Sequence, residues 1–244
     1  MHPRSLTLAA VCGAALLVPA ALPTAAAVPV TDPQDPDAVP AVPAVPAVQE
    51  GEVRADALLA AVRGCRQISH GRYRSDDGAR ADIPVCAKGG TVHWKADLDV
   101  DCDGRAGRRC NRRTDPLFLN TTAYQQSDGR QLSAERLPYV VVPGASRIWN
   151  PARSGIHGGT VAAVVYRGKV LYAVVGDTGP SDLIGEASYA AARALGIDPH
   201  PVRGGAGNEV TYILFPGTRA RPIENHRAAV TAGQAAARKF LRAH

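Results

Sequence analysis

Two apolar runs separated by a three-residue turn constrain this fold more than anything else in the sequence. Val161-Ala162-Ala163-Val164-Val165-Tyr166 and Val170-Leu171-Tyr172-Ala173-Val174-Val175 flank Arg167-Gly168-Lys169. The spacing predicts a β-hairpin over Thr160 to Val175. Neither run alternates apolar with polar residues, so both strands must be buried on both faces, as in a closed barrel. Further strands are expected at Thr91 to Val100, Leu137 to Gly144 and Val210 to Gly217. In the first of these, Val92, Trp94, Ala96, Leu98 and Val100 alternate with polar residues, the pattern of a half-buried strand. Helices are expected from Glu52 to Val62, from Ala187 to Leu195 ahead of Gly196, and from Asn225 to Leu241. The fold class that follows is mainly β (α+β), a small β-barrel decorated with helices.

The N-terminal end reads as processing and tether. His2 and Arg4 precede an apolar stretch from Leu6 to Val18, too short to span a bilayer, and Ala25-Ala26-Ala27 offers a small-residue cleavage site. Residues 1–27 are therefore expected to be a signal peptide and the protein to be secreted and extracellular, with a retained membrane anchor as the alternative. Ala38-Val39-Pro40 is repeated through Pro46, and proline at every third residue favours an extended conformer that packs no core. Residues 28–49 are thus a spacer, and residues 50–244 form the single folded domain.

Cysteine usage agrees with export. Of five cysteines, Cys12 lies in the signal segment, leaving Cys65, Cys86, Cys102 and Cys110. An even count in an exported chain indicates two disulfides, for which three connectivities exist. Cys65–Cys86 and Cys102–Cys110 are preferred. A zinc site is disfavoured, because there is no Cys-x-x-Cys pair.

The net charge is +6, and residues 1–50 hold one arginine against four acids, so the rest is more basic still. Nucleic acid is not the expected partner: no basic stripe is interleaved with aromatics, and three Phe and two Trp are few for base stacking. The cluster Arg105, Arg108, Arg109, Arg112 and Arg113 sits in a Gly-rich loop and serves solubility or attraction to an anionic wall.

The second hairpin strand runs into Gly176-Asp177-Thr178-Gly179-Pro180 and on to Ile184-Gly185-Glu186-Ala187-Ser188. This places Asp177 at a strand end and Glu186 at a helix start, a setting where scaffolds present chemistry. The two acids are the candidate catalytic pair, with a turn-forming Asp177 and a helix-capping Glu186 as the plainer reading. Asp-Thr-Gly also occurs in aspartic proteases, a minor alternative: those need two such aspartates and one is present here, so the chain would have to dimerise. Gly-Asp-Thr-Gly-Pro echoes chymotrypsin-like proteases, with Thr178 as nucleophile, but no segment supplies the base. His157, among glycines, and Thr178 are candidate substrate contacts.

Asp97, Asp99, Asp101 and Asp103 precede Gly104. Asp99-x-Asp101-x-Asp103-Gly104 opens like a calcium loop, but the twelfth position is Cys110 instead of a bidentate glutamate, so no metal and no cofactor are expected. Two readings stay open for Asp99, Asp101 and Asp103: an acidic rim for a cationic ligand, or turn capping at a strand end.

Taken together, Tyr139 to Pro143, the hairpin, Gly176 to Pro180, Ile184 to Ser188, Ile213 to Gly217 and Asp99 to Gly104 resemble the fungal-type chitosanases of glycoside hydrolase family 75. The resemblance implies an endo-acting, inverting hydrolase of the β-1,4 linkages of chitosan, with Asp177 and Glu186 in the catalytic positions. Asp-Thr-Gly followed by Ile-Gly is also similar to the double-psi β-barrel domain of some lytic transglycosylases, implying a double-psi-like barrel. Two other activities stay in view: a peptidoglycan-cleaving enzyme and a non-catalytic glycan-binding barrel. A monomer is expected. From the helix-start position, Glu186 is expected to be the ionised base and the desolvated Asp177 the general acid.

Overall fold

In a computed structural model, the structure describes residues 50–243. The segment expected to be a signal peptide, with Cys12, the expected spacer and the last residue lie outside these. The element order is α1 (Ala55–Ala61), β1 (Arg66–Gln67), β2 (Cys86–Lys88), β3 (Thr91–Asp101), β4 (Tyr139–Pro143), β5 (Thr160–Tyr166), β6 (Lys169–Gly179), β7 (Glu186–Ser188), α2 (Tyr189–Leu195), β8 (Ala206–Arg219) and α3 (His226–Arg242). Six strands close a barrel in the order β3-β7-β4-β6-β5-β8, with β8 returning to pair with β3. Two pairs, β3–β7 and β4–β6, are parallel in an otherwise antiparallel ring. The expected closed barrel with helical decoration is what the chain forms.

The apolar hairpin is the barrel's core, with every residue of β5 buried and β6 buried from Val170 to Asp177. Beside it Trp94 stacks on Tyr212, the register partner of Val164, with ring centroids 5.3 Å apart, and meets Trp149 edge-on. The C-terminal helix closes one side. Ala229, Gly233, Ala237 and Phe240 recur on one buried face of α3. A Cβ at Gly233 would lie 2.2 Å from the Tyr172 ring, so helix and sheet approach too closely for any side chain there. Among the described residues no helix is long and apolar enough to cross a membrane.

Both preferred disulfides are present. Cys65–Cys86 staples the segment after α1 to β2, and Cys102–Cys110 closes the loop that leaves β3.

Three local expectations change. Strand β3 is not half-buried, because His93, Asp97 and Asp101 are covered along with the apolar positions. Strand β6 does not stop at Val175 but carries Asp177 within it. The third change affects Glu186. Helix α2 begins at Tyr189, with Ser188 as its N-cap accepting from the Ala191 N–H at 3.2 Å. The same hydroxyl donates to the Leu137 carbonyl and accepts from the Tyr139 N–H, which ties this junction to β4. Glu186 is therefore a strand residue of β7, three positions before the helix, and the macrodipole does not govern it.

Candidate active site

Strand register builds the site. Across β3, β7, β4 and β6, Val100, Ala187, Val140 and Val175 stand side by side. All four are buried. The next row holds Asp99, Glu186, Val141 and Asp177, again as direct register partners. Neighbouring positions along a strand face opposite ways, so the apolar row points into the barrel and the acidic row points out of it.

Asp177 reaches that row only through a β-bulge. Val140 pairs with Val175 and Val141 with Asp177, so Gly176 is an extra residue in β6. A regular strand would turn Asp177 to the same face as Val175, into the core. The bulge re-aims it, as bulges beside functional sites do. Glycine is required here, since a Cβ on Gly176 would lie 2.6 Å from Tyr139.

The two acids stand two strand intervals apart, roughly 10 Å between backbones at the usual spacing. Glu186 leans inward from there. A Cβ on Gly179 would lie 3.2 Å from Glu186 Oε2 and 3.2 Å from the Val141 side chain, so the glutamate carboxylate reaches across β4 toward β6. A groove of about 390 Å³ runs over this face, lined by Asp99, Asp101, Asp103 and Glu186 with Val141 and Gly179 on its floor. Asp177 is next to Val141, just outside that lining, and 7% exposed.

The surroundings of the two carboxylates differ. Asp177 Oδ1 accepts the Ala123 and Thr178 N–H groups, both at 2.7 Å. Burial raises its pKa, and these two donors oppose the rise by stabilising the ionised form. Glu186 has no such donors. Burial first, then repulsion from Asp101, Asp99, Asp103 and Asp177, holds its carboxyl well above the ordinary glutamate value. Asp103 is pushed up to about 6, chiefly by burial, and its Oδ1 accepts the Leu119 N–H at 2.7 Å. Asp101 is 5% exposed and accepts the Asp103 N–H at 2.5 Å. The buried Tyr139 hydroxyl bonds to Asp101 and to the Asp103 carbonyl.

The surroundings are the opposite of those expected: burial and like charge raise the pKa of Glu186, while on Asp177 two backbone donors oppose the rise that burial causes. The remaining candidates divide. Asp99, Asp101 and Asp103 line the groove, and Asp101 and Asp103 also organise the loop after β3, so both open readings of the aspartate run describe real contacts. Thr178 contributes its backbone N–H to Asp177, and the residue, exposed near the end of β6, does not line the groove. His157 donates its backbone N–H to Thr160 Oγ1 and does not line the groove. The sequence reading passed over the groove's lips, Leu117 and Val202, which are 85% and 63% exposed and carry no motif. It also passed over Ser188, where a serine ahead of Tyr-Ala-Ala-Ala is a readable N-cap signal.

Residues 98–242 match the model of a family described as fungal chitosanase of glycosyl hydrolase group 75. The chain belongs to this family. The matched stretch of this family 75 member contains Asp177, Glu186 and the groove aspartates from Asp99 onward. Endo-chitosanase C of Aspergillus oryzae is 30% identical over 171 residues, covering 66% of this chain and 42% of its own. Endo-chitosanase B of Aspergillus oryzae (strain ATCC 42149 / RIB 40) is 33% identical over 144 residues, covering 56% of this chain and 58% of its own. The family 75 chain thus spans about half the length of these curated relatives.

Proposed function

We propose that this protein is an endo-acting chitosanase that hydrolyses β-1,4 bonds between glucosamine units by inversion. The observation that carries this reading is the row in which Glu186 and Asp177 flank Val141 beneath an acid-lined groove. Inverting glycosidases need their carboxyl groups roughly 6.5–9.5 Å apart to admit a water, whereas retaining ones stand closer. Two strand intervals of about 4.8 Å, shortened by the lean of Glu186 toward Gly179, suit the wider class.

Glu186, neutral, donates its proton to the glycosidic oxygen as the bond to the sugar's anomeric carbon breaks. Asp177 takes a proton from a water that attacks that carbon from the opposite face. Its Oδ1 is held by two backbone donors, leaving Oδ2 for the water. Exchange of one proton each with solvent resets the pair. A polycationic chain finds Asp99, Asp101 and Asp103 along the groove, although the protein as a whole is basic. Export is part of the proposal, and the two disulfides support it, since such bonds persist in oxidising compartments.

Release of new reducing ends from soluble chitosan, measured beside peptidoglycan, tests the substrate. Rapid release from chitosan with short oligomers appearing early is expected. Release from peptidoglycan alone would replace the reading with a cell-wall hydrolase, and binding without release would replace it with a glycan-binding barrel.

The pH profile tests the acid. Because the carboxyl of Glu186 is raised, activity that needs its proton should persist above the ordinary glutamate range and fall as pH rises through the shifted value. Asp103→Asn deletes one of the repelling charges and keeps an oxygen for the Leu119 N–H. Less repulsion lowers the pKa of Glu186, so the alkaline limb of kcat should move to lower pH. A limb that stays in place would mean that another group supplies the proton.

A further inference from the structure

We infer that Asp76, Asp97 and Asp99 form a binding site for a divalent cation of the calcium type, beside the candidate catalytic pair and sharing Asp99 with the acidic row. One oxygen from each of the three lies within 4.8 Å of the others, the spacing at which carboxylates share one ion. Three elements bring them together. Asp97 and Asp99 are on β3. Asp76 follows Arg74, whose backbone exchanges hydrogen bonds with Asp182 and Ile184 in the segment that leads into β7.

An acidic cluster alone is common on protein surfaces, and the decisive residue here is Asp97. It is 7% exposed, and its buried Oδ1 has no hydrogen-bond partner among the described residues. A carboxylate taken out of water without a partner is costly, and proteins otherwise pair such groups or place them on a metal. The backbone around Asp97 leaves it without a register partner in β8. Ala96 pairs with Val210 and Leu98 with Ala206, so β8 carries extra residues opposite Asp97 and bulges away from it. A shallow cavity of about 360 Å³ opens there, into which Gly207 and Asn208 face along with the three aspartates. On the other side Gly185, at φ +123°, lies so close that a Cβ would come within 2.0 Å of Asp97 Oδ1.

The donor set is oxygen only. Ser75 donates its hydroxyl to Asp76 Oδ2 at 2.9 Å, and no described lysine or arginine forms an ion pair with any of the three acids. Hard oxygen ligands select calcium or magnesium over softer metals, and an irregular, partly open site suits calcium, which tolerates variable geometry. Charge favours a divalent ion over an ammonium group, because three carboxylates would remain strongly negative around a single positive charge. The ligand triad also stands apart from the Asp99-x-Asp101-x-Asp103 loop pattern, since Asp101 and Asp103 spend their oxygens on backbone N–H groups. Asp76 and Asp97 precede the stretch matched by the family model.

The experiment is calcium titration of the full chain after chelator treatment and dialysis, followed by calorimetry and thermal melting, with magnesium and glucosamine oligomers in parallel. Calcium should bind with one site per chain and raise Tm, and Asp76→Asn, an exposed change that spares the fold, should weaken binding at least about tenfold by removing one ligand charge. Asp97→Asn should abolish it, while Asp128→Asn, a distant surface acid, should leave it intact. No heat and no rise in Tm at millimolar calcium would overturn the proposal. Calcium binding that survives Asp76→Asn would overturn it equally, as would glucosamine oligomers being the only ligand sensitive to that change, which would make the triad an amine subsite.

Discussion

Glu186→Gln and Asp177→Asn are each expected to lower kcat on chitosan by about 100-fold or more, with folding unchanged, the usual weight of a positioned acid or base. A hundredfold loss corresponds to about 2.7 kcal/mol of lost transition-state stabilisation. Both replacements keep shape and delete ionisation. Glutamine at position 186 removes a buried carboxyl that repels four neighbouring acids, so the melting temperature should hold or rise. Asparagine at position 177 keeps an oxygen for the Ala123 and Thr178 N–H groups. Initial rates and a thermal melt on the same preparations decide the matter. A variant that kept more than about a tenth of wild-type activity would remove that residue from the acid–base pair.

The second large effect is chemical rescue, which assigns the roles. A leaving group that departs without protonation makes the general acid dispensable. An aryl glycoside of a glucosamine oligomer with a strongly acidic phenol should therefore restore most of the rate to Glu186→Ala and little to Asp177→Ala. Azide needs no base to activate it. It should restore Asp177→Ala, give a glycosyl azide of inverted configuration, and do nothing for Glu186→Ala. The physical ground is the contrast in surroundings: two backbone donors at 2.7 Å on Asp177, and only burial and like charge around Glu186. The opposite pattern of rescue would return the roles to those expected from the chain's local signals, with Asp177 as acid. An azide product of retained configuration would instead sink inversion.

The difference between the expected and the observed surroundings of the two acids shows where local reading stops. Asp177 and Glu186 were legible as a pair, because Asp-Thr-Gly after an apolar run and Ile-Gly-Glu before an alanine-rich run are recognisable punctuation. Their environments were not. A helix was expected to begin at Ala187, but Ser188 caps it two residues before Ala190 and leaves Glu186 in β7. The charge around Glu186 then comes from Asp99, Asp101 and Asp103, more than eighty residues earlier in the chain, which only parallel pairing of β3 with β7 brings alongside.

Composition and pattern by themselves determined the barrel and its covering helices, while the fold selected one of the three possible disulfide connectivities. Two unbroken apolar strands joined by a tight turn have no stable arrangement except burial on both faces. Helical spacing of small residues on α3 can be satisfied only against that sheet. Tertiary structure decided which face the acids take. Period-two alternation would send Asp177 inward with Val175, and the extra residue Gly176, held against Tyr139, turns it outward into line with Val141, Glu186 and Asp99. It also decided that Asp97 is buried with its Oδ1 unpartnered, because the bulge in β8 that takes a register partner from it lies more than a hundred residues away. Register and bulges belong to pairs of strands, so no single stretch of sequence contains them.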